Sequence, residues 1–297
     1  MKIDLSRIGL STPGVTAMPG AASDWEFTAS FTDIASTVSA ADRLGYHHVT
    51  CSEHIGVPGD QAERRGARYY DPLATFGYFA AVTSHIRFVT SVLVLGYHHP
   101  LEIAKRYGTL DVVCGGRLIL GLGVGTLKEE FDLLGIGGVE FKERGARGDD
   151  ALRALRVSLG KPFPEYHGTF YDFGGLKIDP CAVQQDMPFW IGGRTFLSLR
   201  RAVLLAEGWT PFGLSPDEMA AIISRAKDLP EWDGRPTPLQ IVMPGPAAVD
   251  PIDEPAHAVE LIGGLFAAGA TKAALRVKAR SAGHFIEQIE ALATLEL

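Results

Sequence analysis

Residues 117–131, RLILGLGVGTLKEEF, decide how the rest of the 297-residue chain is read. The apolar run at 118–120 has the character of a buried strand. It opens onto a loop with Gly121, Gly123 and Gly125, then Thr126, then the charged Lys128, Glu129 and Glu130. Glycine lets main chain approach a ligand closely and adopt angles that a side chain forbids. The stretch therefore reads as a strand end where something planar or phosphorylated lies against backbone. It is not a dinucleotide fingerprint. The spacing is GxGxG rather than GxGxxG, and the acid expected roughly 20 positions on falls near Glu143, inside a helical pattern. No Walker lysine follows. Taken alone, the three glycines are explained equally well by tight packing at a strand end.

Upstream of this stretch, residues 3–10 form a first short strand, followed by a Gly/Pro loop at 12–23. Apolar residues at three- and four-residue steps predict a helix over 27–44, capped by Asp24 and ended by Gly45. Residues 46–51 are a second strand, ending in Ser52-Glu53-His54. A polar loop at 57–70 precedes a helix that Asp71 caps and Pro72 opens, running to about residue 83. A third strand over 86–95 leads through Tyr97, His98 and His99 to a helix opened by Pro100. Downstream, a helix spans about 145–159, with Arg147, Arg153 and Arg156 on a solvated face. Residues 161–188 are rich in Gly, Pro and aromatics and hold a small hairpin around 169–173. Segments this long without regular structure are commonly functional or lid-like. A strand over 188–191 then ends in Gly192-Gly193-Arg194-Thr195, and helix and strand alternate to the end of the chain.

Eight strands, each followed by a helix, imply a parallel sheet. Their number and the chain length match a closed (β/α)8 TIM barrel forming one domain over 1–297; an open doubly wound sheet is the competing α/β arrangement. In a barrel, catalytic groups gather at the C-terminal strand ends. That rule draws Glu53-His54, residues 91–99, residues 121–130 and residues 192–195 into one constellation.

Composition fits an enzyme, with 46% hydrophobic and 21% charged residues. A net charge of -7 without a basic cluster argues against nucleic acid, whose affinity comes largely from cationic contacts to phosphate. No apolar run reaches the ~18 residues of a membrane span. The first residues lack a signal core. Three cysteines, Cys51, Cys114 and Cys181, without a CxxC point to a reducing cytoplasm and not to a disulfide framework or a zinc knuckle. Cys51, at a strand end, reads as a small buried residue before it reads as a nucleophile. His98 and His99 suggest no metal, because no HxH follows the first strand and no carboxylate ends the last.

Three stretches resemble the bacterial luciferase-like monooxygenase superfamily, and more narrowly its branch using the deazaflavin coenzyme F420. They are SEHIG at 52–56, TSVLVLGYHHPLEIAKRYGTLDVVCGGRLILGLGVGTLKEEFDLLG at 90–135, and FWIGGRTFLSLRRAVLLAEGW at 189–209. The resemblance implies a bacterial luciferase-like barrel with an insertion before strand 5, which suits 161–188. It implies an oxidoreductase moving a hydride between the deazaflavin and a small organic substrate, assembled as a homodimer. Ser91-Val92 matches the site where that branch has a non-prolyl cis peptide behind the ring. Gly123, Gly125 and Thr126 fall on the cofactor side of the mouth. Gly192, Gly193, Arg194 and Thr195 would hold the cofactor phosphate, in keeping with an anion's preference for a helix start. His54 matches a ring-side histidine able to exchange protons near neutral pH. Glu53 would orient it or touch the cofactor. In the family's sugar-phosphate dehydrogenases an acid follows the glycine loop where this chain has Lys128, with Glu129 and Glu130 facing solvent, so that substrate is not carried over. Two alternatives stay open: an FMN-dependent monooxygenase using molecular oxygen, and a barrel that binds a flavin without catalysis.

Overall fold

The computed structural model describes residues 2–297. Its strands are β1 (Ile8–Ser11), β2 (His48–Cys51), β3 (Arg87–Thr90), β4 (Leu118–Gly123), β5 (Phe189–Gly192), β6 (Gly208–Thr210), β7 (Gln240–Val249) and β8 (Lys272–Val277). Each pairs in parallel with the next, and β8 returns to β1 through Ile8 opposite Ala273. The pairing of β4 with β5, Leu120 opposite Phe189, completes the ring and rules out the open doubly wound sheet. The surrounding helices are α1 (Phe31–Leu44), α2 (Pro72–Ala81), α3 (Pro100–Val113), α4 (Val139–Ser158), α5 (Phe196–Leu205), α6 (Pro216–Ala226), α7 (Pro255–Ala267) and α8 (Ala282–Leu292). No helix among the described residues is long and apolar enough to cross a membrane.

Strand side chains alternate between two cores. Val89, Ile119, Trp190 and Val242, with Ala274 against them, fill the barrel interior. The intervening positions, such as Phe88, Leu118, Leu120 and Ile191, pack outward beneath the helices. Continuous apolar runs in β3 and β4 follow from burial on both faces.

Several boundaries differ from the sequence reading for local reasons. The apolar steps carry on through Phe27 and Phe31, but the backbone breaks between them. Ser23 and Glu26 cap a 3-10 turn, Asp24–Phe27, and Ser30 with Asp33 starts α1 afresh. Capping side chains thus outweigh periodicity, and Asp24 is not the cap of α1. The helix expected from 145 begins at Val139. The segment 57–70 is not all loop. It contains a helix, Gly59–Arg65, and a two-residue strand, Arg68–Tyr69, antiparallel to Thr16–Ala17. The hairpin in the insertion pairs Tyr166–His167 with Asp172–Phe173. It is fastened to α4 by the buried Asp150, which accepts from Tyr166 Oη (2.5 Å) and the amides of Phe170 (2.7 Å) and Tyr171 (3.1 Å). Arg156 does not sit on a solvated face. Its guanidinium stacks 4.0 Å over Phe189 and bonds Glu207 Oε2 at 2.9 Å. Arg147 lies over Phe170 and pairs with Glu143, while Arg153 is exposed.

The lower end of the barrel carries a buried charge-sensitive plug. His48 points inward against Trp190, and a Cβ at Gly9 would fall 1.9 Å from its ring. Burial drives His48 well below the usual histidine value and His47 down to about 3, with Lys272 adding to both shifts. Both rings are therefore neutral when folded, and the unfolded chain takes up protons the folded one refuses. Their contribution is complete above about pH 6.5 and is lost as pH falls from there. Unfolding free energy should drop by about 1.4 kcal/mol per pH unit for each histidine between about pH 6 and 4. Denaturant titrations across this range check it. His47→Gln should lower the slope by about one proton, and a wild-type profile flat over that range would contradict the account.

Candidate active site

At the C-terminal end of the barrel, β2, β3 and β4 deliver two interlocked pairs of a carboxylate and a histidine. The chain leaves β2 through Glu53 and His54. It leaves β3 through a cis Ser91–Val92 peptide, as the resemblance implies, and pairs again with β4 at Leu93–Val94 before a 3-10 turn, Leu95–Tyr97, that His98 follows. The short helix Lys128–Leu133 after β4 contributes Glu130.

Glu130 is the hub of the first pair. Its side chain is only 2% exposed, against 24% for His54. One oxygen accepts from His54 Nδ1 (2.7 Å) and Tyr97 Oη (2.5 Å), and the other from the amide of Ile55 (2.6 Å). Burial alone would raise its pKa, yet the bonds from His54, Tyr97 and Ile55 outweigh it and hold the carboxyl below its usual value. An ionised carboxylate only accepts, so Nδ1 of His54 carries the proton. That leaves Nε2, which makes no hydrogen bond among the described residues, to accept or donate a proton at the mouth. The His54 and Tyr69 rings pack edge to face, their centroids 4.4 Å apart.

The second pair is built on Glu53, which was expected to orient His54 or touch the cofactor. It does not orient His54. It is buried, and its oxygens take the Val94 amide (2.7 Å) and His98 Nε2 (2.7 Å). Burial lowers the His98 pKa, but the bond to Glu53 overrides that and leaves it raised. Glu53 thus ties the chain after β3 to the end of β2. His99 caps α3 with Nδ1, and its ring packs on Tyr171 of the insertion. Among the described residues no cluster of His, Cys, Asp and Glu could hold a metal ion. Cys51 is buried and its thiol is pushed up to about 12 by burial, which suits a packing residue.

The glycines of the opening stretch meet protein. A Cβ at Gly121 would fall 1.7 Å from the Thr90 carbonyl oxygen, one at Gly123 2.5 Å from Val92 Cγ2, and one at Gly125 2.6 Å from the Phe131 ring. Gly192 faces the other methyl of Val92 at 2.6 Å. Val92 is thus wedged between the ends of β4 and β5, and close packing accounts for the GxGxG spacing. Ser91 is half-buried next to the end of β2, its amide bonding the Cys51 carbonyl at 2.7 Å, and Thr126 is exposed. Gly193 has φ +148° and backs onto Ser198, while Thr195 caps α5 in a reciprocal box with Ser198. Arg194 is exposed, without an ion pair among the described residues, and the first turn of α5 has no acidic residue.

The family model described as luciferase-like monooxygenase matches residues 7–294. The chain belongs to the luciferase-like monooxygenase family. An uncharacterized protein of Mycobacterium tuberculosis is 32% identical over 228 residues, covering 73% of this chain and 77% of its own. An F420-dependent glucose-6-phosphate dehydrogenase of Microbacterium testaceum is 29% identical over 179 residues, 60% of this chain and 52% of its own. The monooxygenase RslO1 of Streptomyces bottropensis shares the fold, with a TM-score of 0.72 at 20% identity over 97% of each chain. Solved structures with this fold include an F420-dependent alcohol dehydrogenase and an FMN-bound monooxygenase. Luciferase-like proteins are oxidoreductases and monooxygenases, and both cofactor types occur among the sequence relatives and fold neighbours of this chain.

Sequence reasoning placed Glu130, Tyr97 and His98 among the segments at the mouth but gave none of them its bonding role. A signal for Glu130 was present. Leu127 and Phe131 are buried one turn apart, and position 130 falls on that same helix face, whereas Lys128 and Glu129 are exposed.

Proposed function

We propose that the chain is a coenzyme F420-dependent oxidoreductase transferring a hydride between the deazaflavin ring and a small organic substrate. The observation that carries this reading is the His54–Glu130–Tyr97 cluster, a proton-exchanging ring held by a buried carboxylate at the barrel mouth. The helix start after β5 suits the phosphate of such a cofactor. The start of α5 offers main-chain amides and the exposed Arg194 with no competing acid. When bound, the deazaflavin would supply or accept the hydride.

The rest is the work of this chain's own residues. In the oxidative direction Nε2 of His54 takes the proton of a carbinol oxygen as the hydride leaves its carbon; in reverse, it returns a proton to a carbonyl oxygen. Glu130 fixes the tautomer and stabilises the imidazolium while it is charged. Tyr97, bonded to the same Glu130 oxygen as His54, and the Ile55 amide on the other oxygen hold the carboxylate in place. An FMN-dependent monooxygenation using molecular oxygen is the second reading, supported by the monooxygenases that share the fold. The two are separated by mixing the protein anaerobically with oxidised deazaflavin and a panel of primary and secondary alcohols. Parallel mixtures contain reduced FMN and oxygen. Alcohol-dependent bleaching of the deazaflavin is expected; substrate-coupled oxygen uptake with FMN alone would replace this reading with the second.

A further inference from the structure

On the other side of the barrel mouth, where the ends of β1 and β8 meet the loop at 20–23 and the far part of β7, lies a cavity of about 250 Å³. Its chemistry is set by Arg276. Strand alternation carries β8 from Ala274, packed in the interior, to Arg276 at the next inward position and the rim. The guanidinium has five N–H donors. Among the described residues it makes one hydrogen bond, from Nη1 to the Ala21 carbonyl at 3.3 Å, and no ion pair. The other charged groups of the lining are already engaged. Lys278 sits 3.2 Å from Asp250. Glu26 accepts the amides of Gly14 and Ser23, each at 2.8 Å, one on each oxygen. Arg276 is therefore a half-buried cation with most of its fork unused, facing a concave space.

We propose that this cavity binds a small organic monocarboxylate, with its carboxylate on Arg276. The planar fork of a guanidinium matches a carboxylate through two parallel bonds, which an isolated carbonyl acceptor does not offer. Pro13, Val277 and Phe285 supply apolar wall for the body of the acid. The volume lies below the ~300–1,000 Å³ of drug-sized sites, which selects a short chain or a single ring. The fixed negative charge of Glu26 on the same wall disfavours a second anionic group. The cavity opens on the same end of the barrel as His54. The proposal concerns the cavity alone and holds for either cofactor reading.

The test is calorimetric titration of the full chain, without cofactor, with acetate, butyrate, hexanoate and benzoate, each beside its neutral amide. At least one acid should bind saturably, about tenfold or more tighter than its amide. Arg276→Gln should erase that preference, whereas Arg276→Lys should keep part of it. Arg194→Glu, at the phosphate end of the mouth, should leave it within about twofold. Modification of Arg276 by phenylglyoxal, followed by mass spectrometry on the wild type, should be slowed by the binding acid and not by its amide, which keeps the test independent of how the variants fold. No saturable binding by any of the four acids overturns the proposal. So does a preference that survives in Arg276→Gln, one lost in Arg194→Glu, or an Arg276 that the acid does not protect. Deazaflavin and FMN play no part in these titrations, so failure here is distinct from failure of the cofactor reading.

Discussion

Gly121→Ala is expected to destabilise the barrel by at least about 4 kcal/mol, the range reserved for steric conflicts that a core cannot absorb. The added Cβ would lie 1.7 Å from the Thr90 carbonyl oxygen. That atom belongs to the backbone of β3, which is paired on both sides, to β2 and to β4. No rotamer change relieves the contact; one strand must move away from the other, and the side-chain bond from Thr90 to the Gly121 carbonyl (2.8 Å) goes with it. Gly77 provides the control, since it lies within α2 with nothing within 4 Å of its ideal Cβ. Gly77→Ala should be neutral or stabilise by about 0.5–1 kcal/mol through helix propensity. Chemical denaturation of both variants gives the comparison. Equal midpoints would mean that β3 and β4 are not held this closely.

The largest effect on activity is expected at His54. Asparagine can reproduce the Nδ1–H donor to Glu130 but has no second nitrogen to carry a proton. His54→Asn should therefore lower kcat by about 10²–10⁴-fold while leaving cofactor affinity within about twofold. Glu130→Gln acts through His54. One amide group cannot accept from both sides of the site, so a donor loses its acceptor. The expected result is a fall in kcat together with about 1–3 kcal/mol of stability. Steady-state kinetics with the substrate found by the alcohol panel, beside thermal unfolding, separates the two. If His54→Asn retains wild-type kcat, His54 does not manage the proton.

These two sites mark what the sequence made legible. The strand–helix alternation was enough for the eight-stranded barrel, because burial on both faces leaves continuous apolar runs that are hard to misread. The position of His54 was legible as well, since a strand end in a barrel has one place to go. Its partner was not. Glu53 is the sequence neighbour of His54, but successive residues leaving a strand point to opposite sides, and Glu53 turns to Val94 and His98 instead. Glu129 and Glu130 differ by one step around a short helix, and that step separates solvent from a buried bond to His54. The glycines looked like a ligand cradle because loss of a side chain signals close approach without saying of what. Here Val92, Phe131 and the Thr90 backbone make the approach. Arg276 was hidden for a related reason: period-two alternation assigns it inward, but only the closed ring reveals that its neighbours leave it without a carboxylate.

The cofactor reading meets its most direct test in a fluorescence titration of the purified protein with oxidised deazaflavin and, separately, with FMN. Wild type should be compared with Arg194→Glu. This variant is preferred to a substitution at Gly193, where φ of +148° and a Cβ only 2.5 Å from Ser198 Cβ would disturb the start of α5 whatever binds there. Arg194 is exposed, so reversing its charge alters the anion site and little else. The account predicts saturable binding of the deazaflavin, weaker binding of FMN, and a loss of about tenfold or more in deazaflavin affinity on charge reversal. Tighter binding of FMN, or deazaflavin affinity unchanged in Arg194→Glu, would contradict it.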